Sequence, residues 1–160
     1  MIVGVSISHA EPESTDPSLV GFVASTAQGG TQYVNYVHHQ DPRLAIIHYQ
    51  TFKAALQFLI GQFINRNNGA KPEKIIFYRG GASEGATQAI LKNELADGIR
   101  KALMDIDDSY RPGITFICSI RGSKQKYFCA DEKDMDGMGQ NIPAGTVVAG
   151  YGNGVPGKVR

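Results

Sequence analysis

Apolar and small residues alternate from Ile2 to Ser8, the period of a half-buried strand. Glu11 to Ser18, interrupted by Pro12 and Pro17, predicts a loop. Leu19 to Thr26, rich in Val and Phe, predicts a second strand. Gln28-Gly29-Gly30-Thr31 predicts a hairpin turn, because glycine reaches the positive φ that tight turns require. Gln32 to His39 then returns as a third strand. Alternation puts Tyr33, Asn35 and Val37 on one face and Val34, Tyr36 and His38 on the other. Three sequential strands joined this way form an antiparallel meander.

The repeat changes after Asp41-Pro42. Leu44, Ile47, Phe52, Leu56, Leu59, Ile60 and Phe63 recur near helical spacing and predict an amphipathic helix of about five turns. Asn67-Asn68-Gly69 ends it, and Pro72 blocks continuation. Glu73 to Arg79 reads as a strand, Ser83 to about Asp107 as a second helix, and Gly113 to Ile120 as another strand. Ser83 suits an N-cap, and Glu84 sits where a carboxylate favours the positive helix end. Strands alternating with helices imply parallel crossovers. The expected class is α/β: β-β-β-α-β-α-β, a mixed five-stranded sheet with helices packed on it. Ala149 to Arg160 carries four glycines and little apolar content, so it reads as a disordered Gly-rich tail.

At 160 residues the chain is about one domain and can bury a core. With 42% hydrophobic and 19% charged residues it is globular in composition, neither disordered nor fibrous. The net charge of +1 hides an asymmetry: residues 1–42 hold four acids and no Lys or Arg. All sixteen basic residues lie from Arg43 onward, with Arg121, Lys124 and Lys126 clustered. A nucleic-acid binder shows a concentrated basic face, and this cluster is only a partial one, so composition alone does not point to nucleic acid. Cys118 and Cys129 are too few for a disulfide framework or a four-ligand zinc site, and Cys118 in its apolar run is expected to be buried and reduced. No signal peptide is visible, and no apolar run approaches the roughly 20 residues that span a bilayer, so an intracellular chain without a membrane partner is expected.

Other chemistry-bearing residues read as structural. His38 and His39 point to opposite faces and cannot chelate one ion, and His9 and His48 lack partners at ligand spacing. Arg79 to Gly85 fits neither G-x-x-x-x-G-K-[ST] nor G-x-G-x-x-G. Ser83 lacks the G-x-S-x-G setting of an activated nucleophile.

Ile75 to Arg79, followed by Gly80-Gly81-Ala82-Ser83-Glu84-Gly85, resembles the Y-R-D-G-x-S-E-G segment in the PIWI domain of Argonaute proteins. Gly4 to His9 resembles the family's G-A-D-V-T-H, and Ser18 to Ser25 its S-I-A-x-V-V-A-S strand. Pro112 to Ile117 and Asn141 to Val148 match two further segments in the right order. The resemblance implies a ribonuclease H-like fold. It also implies a C-terminally truncated PIWI domain over residues 1–148, with residues 149–160 as the tail.

Active relatives hold two divalent metals on carboxylates, with a His or Asp as fourth residue. The metals, magnesium in those relatives, activate water and stabilise the departing oxygen of a phosphodiester. By resemblance the first Asp falls on Ser6, the glutamate finger on Ala45 and the second Asp on Gly80. Magnesium requires oxygen ligands, preferably charged. The resemblance therefore implies no catalytic residue, no metal, no cofactor and no enzyme activity. Arg121, Lys124 and Lys126 fall where the family has a basic segment beside the guide strand, so they are the candidate phosphate contacts.

The reading is a catalytically inactive, nucleic-acid-binding PIWI domain with an inherited role in small-RNA-guided gene silencing. Its implied partners are guide RNA or a guide–target duplex, bound weakly in isolation, and silencing-complex proteins, in cytoplasm or nucleus. Two alternatives stay open. One is a fragment of an RNA-guided endonuclease whose metal site is rebuilt or completed by a partner. The other is a non-functional fragment of a decayed Argonaute gene.

Overall fold

In the computed structural model of the protein, β1 (Ile2–Ser8), β2 (Ser18–Ser25) and β3 (Tyr33–Gln40) form the expected antiparallel meander. β4 (Lys74–Ala82) and β5 (Gly113–Ile120) extend the sheet in parallel, β4 beside β1 and β5 beside β4. The five-stranded order is β3-β2-β1-β4-β5. The structure describes residues 1–27, 29–120, 127–129, 131–136 and 141–147, with backbone alone at 84. Two units are distinct, Met1–Gly122 and Ser123–Arg160. The expected tail at 149–160 lies outside the described residues.

Alternation decides which side of the sheet is dry. Val3, Val5, Val20, Phe22, Ala24, Ile75 and Phe77 share one face and are buried. α1 (Tyr49–Arg66) packs on that face through Phe52, Ala55, Leu56, Leu59 and Ile60, an i, i+3, i+4, i+7, i+8 stripe. Phe52 meets Phe22 edge-on, ring centroids 5.6 Å apart. At the helix end Gly69 (φ +85°) donates its N–H to Ile64 O at 3.0 Å, which closes the last turn. Arg66 and Asn67 then bind Thr26 at 2.8 and 2.7 Å, fixing the helix to the β2–β3 connection.

The helix begins at Tyr49, later than the apolar repeat suggested. Arg43 has φ +59°, which ends any helical path there. Residues 41–48 instead form a loop whose backbone groups are taken by side chains from other elements. Ser18 Oγ accepts Arg43 N–H at 3.0 Å, and Gln40 Nε2 donates to Leu44 O at 2.7 Å. Those groups therefore need no helical ladder. Ile47 is still buried, now as a loop residue.

The second helix, α2, spans residues 84–106 and is not uniform. It starts as a 3₁₀ turn (Glu84–Ala86), passes through Thr87–Ala89, widens to a π-helix over Ile90–Arg100, and closes as α-helix over Lys101–Ile106. Its buried positions are Ile90, Glu94, Gly98, Ile99, Ala102 and Leu103. Ser83 accepts Ala86 N–H at 3.1 Å and Thr87 Oγ1 at 3.3 Å through its carbonyl, and among the described residues its hydroxyl caps nothing.

β4 runs on to Ala82, past Arg79, where the strand was expected to end. The register slips between Gly80 and Ala82, with Gly81 at φ +75°, so the glycine pair is a β-bulge. In the second unit, Cys129 Sγ lies 3.1 Å from Asp134 O, and Asp136 N–H donates to Asn141 O at 2.9 Å.

Candidate functional site at the strand ends

Ser6 and Gly80 sit on neighbouring parallel strands, because β1 pairs with β4 up to Val5 beside Arg79. A Cβ built on Gly80 would lie 3.8 Å from Ser6 Oγ and 3.7 Å from Val5 O. The fold therefore brings together two of the three positions where the resemblance expects carboxylates. Both belong to the sheet face turned away from the helices, and Ser6 is exposed.

Ala45 is fastened from the other face. Arg79 is 1% exposed, on the same side of β4 as Ile75 and Phe77. Its Nη2 donates to Ala45 O at 2.8 Å, and its Nη1 donates to Gly80 O. Glu94, wholly buried on α2, accepts Arg79 Nε at 2.9 Å on one oxygen and Nη2 at 3.1 Å on the other. The oxygen that takes Nη2 also accepts Ile47 N–H at 3.0 Å. A buried charge pair persists only when such further bonds satisfy it. Here the pair holds the 41–48 loop against the end of β4.

Neither Arg79 nor Glu94 was singled out for this role from the sequence. The signal was there: Ile75, Phe77 and Arg79 alternate onto one face, so an arginine in an apolar row demands an acid from elsewhere.

Ser6 supplies one neutral hydroxyl, whereas Ala45 and Gly80 supply no side-chain donor. Among the described residues no group of three or more His, Cys, Asp or Glu converges. The residues present do not fit a magnesium pair, whose ligands must be oxygens and mostly charged. Asp41 acts through its carbonyl, which accepts Leu44 N–H at 3.4 Å.

Arg121, Lys124 and Lys126 lie outside the described residues. Sequence reasoning overlooked a further cationic area. A cleft of about 810 Å³ at the opposite ends of the strands is lined by Arg66, Lys71 and Lys74 together with Glu73. Asp107 pairs with Lys71 and, with Ser109, is held well below the usual carboxylate range by those hydrogen bonds. That pairing leaves the cleft only weakly positive.

His9 Nδ1 lies 2.7 Å from Ser18 Oγ, and His38 stacks near Tyr36. Cys118 is free and half-buried, not fully buried as expected. Burial first, and the Glu94 charge after it, push its thiol up.

The Piwi domain model matches residues 1–155. The chain belongs to the Piwi family. Its fold is that of Argonaute structures. The C-terminal lobe of a budding yeast Argonaute superposes with TM-score 0.68 at 22% identity, covering 77% of this chain and 25% of that one. Kluyveromyces polysporus Argonaute, solved with a guide RNA, gives 0.66 at 22%, covering 76% and 14%. The MID-PIWI domains of N. crassa QDE-2 give 0.59 at 27%, covering 74% and 34%. This Piwi chain thus spans 14 to 34% of the length of those structures. No described helix of this Piwi domain is long and apolar enough to cross a membrane.

Proposed function

We propose that this Piwi domain binds nucleic acid without cutting it, as a catalytically inactive member of the small-RNA silencing machinery. The observation that carries the proposal is the adjacency of Ser6 and Gly80: the fold builds the meeting point, and neither side chain brings a carboxylate to it. The guide RNA held by the Kluyveromyces polysporus relative supports a nucleic-acid partner. Arg121, Lys124 and Lys126 are the proposed phosphate contacts. Three cations on a single strand give a slope of log K against log salt of about −2, so binding is weak and salt-sensitive.

Fluorescence anisotropy of the full chain with a 5′-phosphorylated RNA, alone and paired to a target, tests the binding. A parallel gel assay in magnesium or manganese tests the chemistry. The expected result is salt-sensitive binding with intact RNA. Cleavage that chelation stops would overturn the inactive assignment, and no binding at low salt would overturn the nucleic-acid one.

A further inference from the structure

Ahead of α1 the sequence carries a helix start that the fold does not use. Asp41 is a preferred N-cap, and Pro42 suits the first helical position, where its missing N–H is no loss. Leu44 and Ile47 then lead into Thr51 and Ala55, both buried on α1, at spacings of three, four and four. A helix from Pro42 would therefore keep Ile47 on the stripe that faces the sheet. The observed start is bare by comparison. His48 makes no side-chain cap bond, and the first turn from Tyr49 holds no acid.

The loop form of residues 41–48 also carries two costs. Arg43 sits at φ +59°, a region that bulky side chains rarely adopt. Gln40 is 8% exposed, and its Oε1 has no partner among the described residues. What outweighs these costs is the buried pair. In a helix Ala45 O would accept the N–H of Tyr49, and Ile47 N–H would donate to Arg43 O. Arg79 Nη2 takes the first of those groups at 2.8 Å, and Glu94 takes the second at 3.0 Å. Gln40 Nε2 takes Leu44 O, which a helix would give to His48 N–H. Side chains from elsewhere thus occupy the groups that a helical ladder needs.

We propose that residues 41–48 are a two-state strap. Arg79 and Glu94 hold it as a loop, and on their release it winds onto α1 as about two further turns capped by Asp41. The helical form detaches Ala45 from Arg79, whose other terminal nitrogen holds Gly80 O. The pair therefore links the state of the strap to the end of β4. This device does not depend on whether the domain binds or cuts RNA.

Cα chemical shifts of the isotope-labelled full chain read the state of each strap residue. The native chain should show loop values over 42–48. Arg79→Met with Glu94→Leu removes the pair without stranding a charge, and should give helical values continuous with α1. Arg79→Lys is an independent release: it keeps a cation opposite Glu94 but loses the fork that reaches Ala45 O. It should move the same shifts in the same direction, and it decides the matter alone if the double variant does not fold. In either released background, Asp41→Ala should lower the helix-to-loop ratio about fivefold through loss of the cap. Arg43→Gly should lower it about as much, because glycine accepts the positive φ and disfavours a helix. In the native chain Asp41→Ala should leave the strap shifts unchanged, since the loop uses the Asp41 carbonyl. Loop or random-coil shifts over 42–48 in the released variants overturn the proposal. So does a helical run that Asp41→Ala leaves at full population.

Discussion

Arg79 and Glu94 meet as a bidentate pair, 2.9 and 3.1 Å, with both side chains at most 2% exposed. Removing one partner leaves the other charge buried without compensation, which costs about 3–5 kcal/mol. Glu94→Ala is therefore expected to lower the urea midpoint sharply. It should also speed hydrogen exchange at Ile47 N–H, which loses its acceptor. An Arg79→Met, Glu94→Leu double variant should regain most of the stability and still leave the 41–48 loop untied. Equal loss in single and double variants would show that the loop contacts, rather than the stranded charge, dominate.

Gly98 tests the packing of the wide helix. A Cβ there would sit 3.0 Å from Phe52 Cδ2 and 3.1 Å from Asn93 O, and Phe52 is wholly buried. Replacing a helical glycine normally gains up to about 1 kcal/mol. Here overpacking, about 1–3 kcal/mol, outweighs that gain. Gly98→Ala should be destabilised by about 1 kcal/mol in chemical denaturation. A stabilised variant would mean that the ring has room to shift.

Tyr110 sets an alkaline limit. Its hydroxyl donates to Pro72 O at 2.6 Å, and burial pushes its pKa up to about 12 from 10.0. The folded state thus favours the neutral phenol. Its contribution is complete below pH 10, declines as the unfolded phenol ionises, and is gone by about pH 12. Tyr110→Phe should lose about 1 kcal/mol at neutral pH with the hydrogen bond. Its stability should then fall less steeply than that of the native chain between pH 10 and 12. Parallel curves for the two proteins would rule this out.

The basic segment makes a salt-dependent prediction. Neutralising Arg121, Lys124 and Lys126 to Gln should weaken single-stranded RNA binding uniformly across sequences. It should also flatten the salt slope from about −2 towards zero. Anisotropy titrations at several salt concentrations read both. An unchanged slope would move the contacts elsewhere, with Arg66 and Lys74 in the opposite cleft as the next residues to replace.

Strand alternation carried nearly all of the sheet. The faces of β3 came out as read, with Tyr33, Asn35 and Val37 exposed. Where local pattern competed with distant side chains, it lost. Leu44 and Ile47 continue the helical repeat, yet Ser18, Gln40, Arg79 and Glu94 hold the backbone of Arg43, Leu44, Ala45 and Ile47 in a loop. The widening over Ile90–Arg100 was equally hidden in the sequence. The adjacency of Ser6 and Gly80 became a distance only once β1 and β4 were paired.

Arg79 and Gly80 are consecutive, yet they serve opposite sides of the sheet. Arg79 anchors the interior. Gly80 faces outward, with no positive φ and only ordinary contacts awaiting a Cβ, 3.7 and 3.8 Å away. Chemistry at this strand end is thus detachable from the scaffold that displays it. Gly80→Ala should leave the unfolding midpoint nearly unchanged, and a large drop in it would show the two layers to be coupled. A protein built this way can change the side chains at this strand end and keep its architecture whole.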